Sequence, residues 1–259
     1  MTGHPALEIS DLSVAFRHDN NMEVRALVDV SVRVPDGQLL VLIGPSGHGK
    51  STLLSVAAGL LTPTSGTVLA HGRPVTGPSP ERGIVFQQDT TFPWMRVRDH
   101  VGYGPRLRGV PARERRLIAD KFLKSVGLES FAGSWPKELS GGMRKRLAVA
   151  TAFAANPSVL FMDEPFGSLD FVTRTILHAM LLKLWKETNM TIVFVTHDVD
   201  EALLLGDRIC VLVAGRIVDD IVVQFERPRG DDLRSNPRAI DLRRHLLGRL
   251  GIEALSKGV

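Results

Sequence analysis

The sequence contains a single cysteine, Cys210, among 259 residues. One cysteine excludes an intrachain disulfide bond and is typical of proteins that work in a reducing compartment. Cys210 lies in residues 208–213, a segment that is apolar after Arg208 and has the pattern of a core strand. We therefore expect a buried and inert thiol.

Long apolar runs and long runs of like charge are also missing. No apolar run approaches the roughly 18 residues that a transmembrane helix needs, and no basic-then-apolar segment indicates a signal peptide. The net charge of +4 would suit nucleic acid or an anionic membrane, but an ordinary solvated surface is the default interpretation. The length allows one large domain or a domain with an inserted subdomain.

A glycine-rich segment, residues 44–52, is the clearest motif. Residues 39–43 before it form an apolar run of strand length, and residues 53–58 after it are mostly good helix formers. A strand that enters a glycine turn and leaves as a helix is the context of a phosphate-binding loop. The predicted nucleotide-binding residues of this loop are Gly44, Pro45, Ser46, Gly47, His48, Gly49, Lys50, Ser51 and Thr52.

Four residues of this loop have distinct chemical tasks. Gly44 and Gly49 permit the tight path and the close approach of backbone to phosphate. Lys50 can reach the β- and γ-phosphates, and the Ser51 hydroxyl can bind Mg²⁺. The alternative is a glycine turn that contains Gly-Lys-Ser by chance, and the strand and helix on either side disfavour it.

Two further apolar runs end in polar residues. Residues 159–162 end in Asp163 and Glu164, which is a costly arrangement unless the carboxylates meet a cation or take part in chemistry. Asp163 suits Mg²⁺, and Glu164 can polarise a water molecule. Residues 192–196 end in His197, and ligands of open α/β sheets bind at such strand ends. A lone histidine there is more often structural, so both roles remain open.

The segment Leu-Ser-Gly-Gly-Met, residues 139–143, precedes a strongly helical stretch. Ser140 is a good N-cap residue, while two glycines in the first turn are poor helix formers. A helix start lined by serine and glycine is typical of an anion site. An ordinary capped helix is the alternative.

The remaining patterns outline the domains. Residues 7–16 and 24–34 carry apolar side chains at nearly alternate positions on either side of a polar turn at 18–21, which predicts an N-terminal antiparallel β region. In that pattern Phe16 is more typical of core packing than of ligand binding. A largely helical block over about 92–155 lies between two α/β blocks and indicates an inserted subdomain.

The tail, residues 226–259, contains eight Lys/Arg and five Asp/Glu. Asn236 and Pro237 predict a helix start, and an apolar stripe follows at Leu242, Leu246, Leu247, Leu250 and Ala254. One interpretation is an amphipathic surface helix docked on the domain. The other is contact with a membrane protein or anionic lipid.

Residues 1–225 resemble the nucleotide-binding subunit of ABC (ATP-binding cassette) transporters. The motifs stand in the family's order: Walker A at 44–52, Q-loop Gln87, signature at 139–143, Walker B at 159–163 followed by Glu164, D-loop at 168–170 and switch histidine His197. The resemblance implies an α/β fold, with a P-loop NTPase (RecA-like) core, an N-terminal antiparallel β subdomain and an inserted α-helical subdomain.

The resemblance also implies the roles of the site residues in Mg²⁺-dependent ATP hydrolysis. It assigns catalysis to Lys50, Gln87, Glu164 and His197, with Glu164 as the base and His197 on the γ-phosphate. It assigns Mg²⁺ binding to Ser51, Gln87 and Asp163. It assigns contact with the ATP bound by the opposite subunit to Ser140, Gly141, Gly142 and, at the dimer interface, Asp170. Phe16 maps to the aromatic residue that stacks on adenine, where tyrosine is more usual.

Residues 85–89, 92–94 and 166–170 resemble importer ATPases for nitrate, sulfonate, taurine and similar small compounds. This implies a homodimer or a pair with a related cassette, two membrane permease subunits and an extracytoplasmic solute-binding protein, with no nucleic acid. It places the chain peripherally at the cytoplasmic face of the membrane. Trp94 would meet the permease, or else pack in the core.

The chain departs from the family after the signature, because Lys145 and Thr151 stand where glutamine and arginine are common. We expect Thr151 to alter packing between the helical and catalytic parts. A soluble ABC ATPase of DNA repair or translation is the alternative function, but such proteins usually carry two cassettes, or coiled-coil or zinc insertions. Intact Lys50, Glu164 and His197 argue against a binding module without turnover.

Overall fold

The computed structural model describes residues 3–17, 23–167, 169–230 and 232–251. The predicted polar turn at 18–21, Ser168 of the D-loop motif and Ala254 of the tail stripe lie outside these residues. The chain divides into two compact units, one of residues 1–78 and 191–259 and the other of residues 79–190. The domain boundaries predicted from the sequence stay a prediction.

Strands and helices are interspersed along the chain. The strands are β1 (Leu7–Arg17), β2 (Glu23–Val34), β3 (Leu39–Ile43), β4 (Ser65–Ala70), β5 (Arg73–Pro74), β6 (Arg82–Val85), β7 (Val159–Asp163), β8 (Thr191–Thr196), β9 (Arg208–Val213) and β10 (Arg216–Val222). The helices are α1 (Lys50–Ala58), α2 (Val97–Val101), α3 (Tyr103–Leu107), α4 (Ala112–Ser125), α5 (Gly141–Ala154), α6 (Phe171–Thr188), α7 (Val199–Leu205), α8 (Asp232–Ser235) and α9 (Pro237–Arg249). Short 3₁₀ turns lie at Glu129–Phe131 and Pro136–Glu138.

The first unit contains an antiparallel sheet in the order β2-β1-β4-β5, as predicted for the N-terminal region. The alternation of apolar residues is imperfect because the β1–β2 register shifts between Ile9 and Leu12. At the irregularity Asp11 and Asp29 have left-handed backbones, with φ of 49° and 50°. Their N–H groups donate to Ser31 Oγ and Ser13 Oγ at 2.9 and 3.0 Å, which satisfies donors that the ladder leaves out.

The same unit contains four strands in the order β10-β9-β3-β8. β3 is buried along its whole length and runs parallel to β8 and β9, which explains its unbroken apolar sequence. Ile43 pairs with Thr196, so the phosphate loop and His197 both follow strand ends at one edge. β9 and β10 form a hairpin that turns at Ala214 and Gly215, whose φ angles of 48° and 75° suit a tight hairpin turn.

The second unit pairs β6 and β7 in parallel, with Val85 opposite Met162. Their carboxyl ends therefore bring the Gln87 segment and the Asp163–Glu164 pair to one edge. Helices α2 to α5 occupy most of the segment predicted to be helical, and α2, α3 and α4 each pack against α5. Within α5 the core residues Leu147, Val149, Ala150 and Phe153 are buried.

Cys210 is fully buried in β9, as expected. Burial, with Asp220 nearby, raises the pKa of its thiol to about 12, so the thiolate is not formed near neutral pH. The tail helix α9 begins as predicted, because the Asn236 side chain caps it by accepting from Arg238 and Ala239 N–H. Among the described residues, no helix has both the length and the apolar character needed to cross a membrane.

Two phenylalanines of the second unit provide a matched test of its core. Phe153 is fully buried, whereas Phe171 is 67% exposed. We expect Phe153→Ala to lower the free energy of unfolding by about 3–5 kcal/mol, since it removes apolar contacts and leaves a cavity. Phe171→Ala should change it by no more than about 0.5 kcal/mol. Urea denaturation of both variants measures the difference, and equal effects would contradict the packing.

Candidate functional site

The phosphate loop connects β3 to α1 in the first unit. Gly47 and Gly49 have φ angles of 79° and 98°, a region that residues with a side chain rarely adopt. The loop closes locally, because His48 N–H donates to the Pro45 carbonyl at 3.4 Å and Leu53 N–H to the Gly49 carbonyl at 2.9 Å. Of the predicted loop residues, Ser46, Gly47 and Ser51 are exposed and Gly44 and Lys50 are buried. Pro45, His48, Gly49 and Thr52 are half-buried.

Two glycines of the loop are required by space. A Cβ on Gly44 would lie 2.2 Å from the carbonyl oxygen of Leu212, and one on Gly49 would lie 2.4 Å from that of Ala26. Because both obstacles are backbone atoms, neither can move away cheaply. Gly47 has nothing within 4 Å of that position, so there only the backbone angle favours glycine.

Lys50 is only 4% exposed, and its ammonium group lies over the loop. Nζ donates to the carbonyl oxygens of Gly44 at 2.8 Å and Pro45 at 2.9 Å. A buried positive charge beside the N-terminus of α1 makes this loop favourable for an anion. Chemically, the donor set suits phosphate.

His197 follows β8 directly and is exposed. Its neighbours on the chain are held, since Asp198 N–H donates to Thr196 Oγ1 at 3.0 Å. Asp198 then caps α7 by accepting from the N–H groups of Asp200 and Glu201 at 2.8 and 3.2 Å. The position of His197 is therefore tied to the start of α7.

Phe16 lies on β1 and is 40% exposed. The interpretation as core packing, which its strand pattern favoured, is therefore wrong. An exposed aromatic face is available for stacking, so the role of contacting adenine stays a prediction.

The paired carboxylates lie in the second unit at the end of β7. Asp163 is the last residue of the strand and is half-buried. Glu164 has a φ angle of +42°, which is uncommon for a residue with a side chain and is found disproportionately at functional sites. No local sequence signal predicted this conformation.

The Gln87 segment contacts the start of α5 within the same unit. Lys145 Nζ donates to the Gln87 carbonyl, and Arg144 forms an ion pair with Asp89 at 2.6 Å. Partial burial acts to raise the pKa of Asp89, but hydrogen bonds from Thr91 and the charge of Arg144 bring it below the ordinary value. Lys145, which departs from the family pattern, thus holds the backbone of Gln87, and the side chain of Gln87 is exposed.

The signature residues form the N-terminus of α5. Ser140 caps the helix as predicted, with its Oγ accepting from Met143 N–H at 3.3 Å. A Cβ on Gly142 would lie 2.8 Å from Thr173 Cγ2, whereas Gly141 is open. Ser140 and Gly141 are exposed, so this helix start is accessible.

Asp170, the remaining residue assigned to the dimer interface, is exposed at the N-cap of α6. Its side chain accepts from Thr173 N–H at 3.0 Å, and hydrogen bonds from the Thr173 side chain and backbone lower its pKa. It therefore stays ionised at neutral pH and stabilises α6.

An aromatic cluster beside α2 was not predicted. Phe92 N–H donates to His100 Nε2 at 2.7 Å, and His100 Nδ1 lies 3.5 Å from Thr151 Oγ1. Phe92 stacks on both His100 and Trp94. Trp94 itself is 69% exposed, so its alternative role in the core is excluded.

The predicted residues thus fall into two groups. The first unit holds the phosphate loop, Phe16 and His197; the second holds Gln87, the signature residues, the paired carboxylates and Asp170. Within the described ranges no group of three or more His, Cys, Asp and Glu side chains could hold a metal by itself.

Comparison with known proteins identifies the family. The family model for ABC transporters matches residues 27–167. A taurine import ATP-binding protein of Roseobacter denitrificans is 48% identical over 87% of this chain and 84% of its own length. A nitrate import ATP-binding protein of Synechocystis is 41% identical over 92% of this chain and 89% of its own.

Solved structures agree with this. A dimeric ATP-binding cassette in a post-hydrolysis state, bound to ADP and Pi, is similar with a TM-score of 0.74 and 29% sequence identity, over 85% of this chain and all of that one. The chain belongs to the ABC transporter family. The predicted resemblance, the P-loop α/β fold and the prediction of an ABC-type ATPase are confirmed.

The loop glycines provide a graded test of the site. Gly49→Ala combines a positive φ with a contact of 2.4 Å, so we expect it to displace the loop and weaken ATP binding by about tenfold or more, which corresponds to about 1.4 kcal/mol. Gly47→Ala meets only the backbone preference, worth roughly 1–2 kcal/mol of loop stability. Calorimetric titration with ATP compares the two, and a stronger effect at Gly47 would contradict the geometry.

Proposed function

We propose that the chain is the ATP-binding and ATP-hydrolysing subunit of an importer for a small solute. The observation that supports nucleotide binding is the phosphate loop, in which Lys50 donates to the carbonyl oxygens of Gly44 and Pro45. Import is supported by relatives whose names state taurine import and nitrate import. Taurine, nitrate, a sulfonate or a similar small compound is the solute class that we propose.

In the first unit, the proposed roles concern holding the nucleotide. The N–H groups of the loop and the Lys50 ammonium bind the β- and γ-phosphates, and the Ser51 hydroxyl is placed to bind Mg²⁺ at the start of α1. Phe16 stacks on the adenine ring. His197 contacts the γ-phosphate, which its exposed position after β8 permits.

In the second unit, the proposed roles concern the attacking water and the metal. Glu164 accepts the proton of the water, and Asp163 with Gln87 contributes to binding Mg²⁺. When bound, Mg²⁺ neutralises charge that develops on the phosphate oxygens. Phosphoryl transfer needs positioning and charge neutralisation rather than a covalent nucleophile. None of the proposed roles requires a residue to form a covalent bond with the phosphate.

We further propose a head-to-tail homodimer. The exposed helix start at Ser140, Gly141 and Gly142 would contact the γ-phosphate of ATP held by the opposite subunit, with Asp170 at the interface. The N-terminus of α5 would reach that phosphate only when the two chains close, which would couple ATP binding to a movement. The similar cassette structure bound to ADP and Pi is dimeric.

The proposed membrane partners are two permease subunits, with an extracytoplasmic solute-binding protein delivering the solute. The chain would lie peripherally at the cytoplasmic face of the membrane. The exposed side chain of Trp94, stacked on Phe92, supports this segment as the permease contact, because large exposed aromatic residues are enriched at protein interfaces. No nucleic acid is part of this function.

Glu164→Gln tests the hydrolytic mechanism. We expect ATP binding to persist while turnover nearly stops, because the amide cannot accept the proton of the attacking water. The trapped ATP should then stabilise a dimer, measured by light scattering at saturating ATP and Mg²⁺. Glu114→Gln, at an exposed position of α4, is the control. A Glu164→Gln variant that stays monomeric would count against this mechanism.

Lys50→Ala tests the phosphate contact. Because a hydrogen bond to a charged group contributes about 1.5–3 kcal/mol, we expect ATP affinity to fall by roughly 10- to 100-fold. Lys137→Ala, at an exposed position, removes the same charge elsewhere and should leave the affinity unchanged. An unaltered dissociation constant for Lys50→Ala, measured by equilibrium dialysis, would refute the assigned contact.

A further inference from the structure

A group of arginine contacts joins the segment after β10 to the end of α7, all within the first unit. α7 has seven residues and begins directly after His197 and Asp198. A helix this short moves as one body, so whatever holds its end also influences the residue before its start. The nucleotide roles described above make no use of these arginines.

Arg229 provides most of these contacts and is 7% exposed. Its Nη1 donates to the carbonyl oxygens of Leu203 at 2.9 Å and Gly206 at 2.5 Å, at the C-terminal end of α7. Nε and Nη2 donate to the carbonyl oxygens of Phe225 at 3.1 Å and Val223 at 3.4 Å. The last carbonyls of a helix lack partners within the helix, and a cation there is favourable.

The burial of this guanidinium makes the contact specific. Burial, together with the charge of Arg227, lowers the pKa of Arg229 to about 10, which leaves the group charged at neutral pH. A buried charge is costly unless its donors are satisfied. Carbonyl oxygens at the end of α7 and at residues 223–225 together meet that requirement.

Arg227 extends the contacts to the strand that leads into the phosphate loop. It donates to the Leu205 carbonyl and forms an ion pair with Asp207 at 2.9 Å. Asp207 in turn accepts from Leu39 N–H at 2.9 Å, and its own N–H donates to the Leu39 carbonyl at 2.8 Å. Leu39 is the first residue of β3, so these contacts connect the segment after α7 to the strand that leads into the phosphate loop.

A second contact reaches the other end of α7. Arg243 of α9 forms an ion pair with Asp200 at 2.8 Å, in the first turn of α7. Both side chains are about half exposed, and such pairs contribute little. The buried contacts of Arg229 therefore dominate.

We propose that Arg229 is a positioning residue for ATP hydrolysis, which fixes the C-terminal end of α7 and thereby the place of His197. It acts through α7 and does not touch the nucleotide. The inference rests on the proposed role of His197 at the γ-phosphate, and it gives the segment after β10 a part in catalysis.

The first test separates turnover from binding. We expect Arg229→Met to lower kcat about tenfold, because small misplacements of a catalytic group are costly, while the dissociation constant for ATP stays within about twofold. Arg229→Lys keeps the charge but cannot reach all four carbonyls, so it should recover part of the loss. The matched control is Arg244→Met, since Arg244 pairs with Asp241 on its own helix and should leave kcat unchanged.

The second test asks whether the effect passes through His197. In a His197→Ala background, Arg229→Met should lower the residual kcat by no more than about twofold, because the two residues act on one step. Hydrogen exchange, measured on the full-length protein, should become faster over residues 198–206 in Arg229→Met. It should stay unchanged there in Arg244→Met.

Two results would overturn the inference. One is that the losses in kcat of His197→Ala and Arg229→Met multiply fully in the double variant. The other is that hydrogen exchange over residues 198–206 in Arg229→Met stays at the wild-type rate. If Arg229→Met does not fold, the same comparisons are made with Arg229→Lys. A wild-type chain that does not hydrolyse ATP would instead contradict the proposed function, and the exchange measurement would still decide whether Arg229 holds α7.

Discussion

The hydrogen bonds of the Lys50 ammonium group to the carbonyl oxygens of Gly44 and Pro45 are the contact on which the candidate site depends. They hold a buried cation at the junction of a fully buried strand and a helix N-terminus. A cation beside the N–H groups of a helix N-terminus favours an anionic ligand. The glycines at 44 and 49 allow the loop to lie this close to its neighbours, where a Cβ would contact backbone oxygen.

Parallel strands place the remaining chemistry. In the first unit, β3 and β8 end at the same level, and the phosphate loop and His197 follow them. In the second unit, β6 and β7 run in parallel register, and Gln87 and Asp163 lie at their ends. Each unit therefore gathers its polar residues at strand ends, the location at which ligands of α/β proteins bind. Phosphate contacts are proposed for residues of the first unit, and metal and water contacts for carboxylates of the second.

Much of the fold was predictable because local patterns and structure agree. The apolar run at 39–43 forms β3, and Ser140 and Asn236 cap the helices they were expected to cap. These features depend on periodicity, glycine and capping chemistry. Local patterns suggested the roles of Lys50, Ser51 and the two carboxylates, and the family resemblance assigned the other roles in ATP hydrolysis. The ATPase class is confirmed, and the roles of individual residues stay predictions.

The features that were missed depend on contacts between residues distant in sequence. Nothing local marks Arg229 as buried, because the acceptors of its Nη1 are carbonyl oxygens at the end of α7, more than 20 residues earlier in the chain. The exposure of Phe16 depends on what packs over β1, and that of Trp94 on how its loop folds against α2. The positive φ of Glu164 is set by tertiary structure, since the position is not a glycine or asparagine, from which a positive φ could be predicted.

The central claim is that this cassette powers a membrane importer. A mild-detergent pull-down of the chain from its native membranes, with identification of the proteins that accompany it, tests this directly. The account predicts recovery of a polytopic membrane protein, and a co-purified solute-binding protein would establish import. Recovery of soluble proteins or nucleic acid alone would contradict the claim, although the ATPase chemistry would stand.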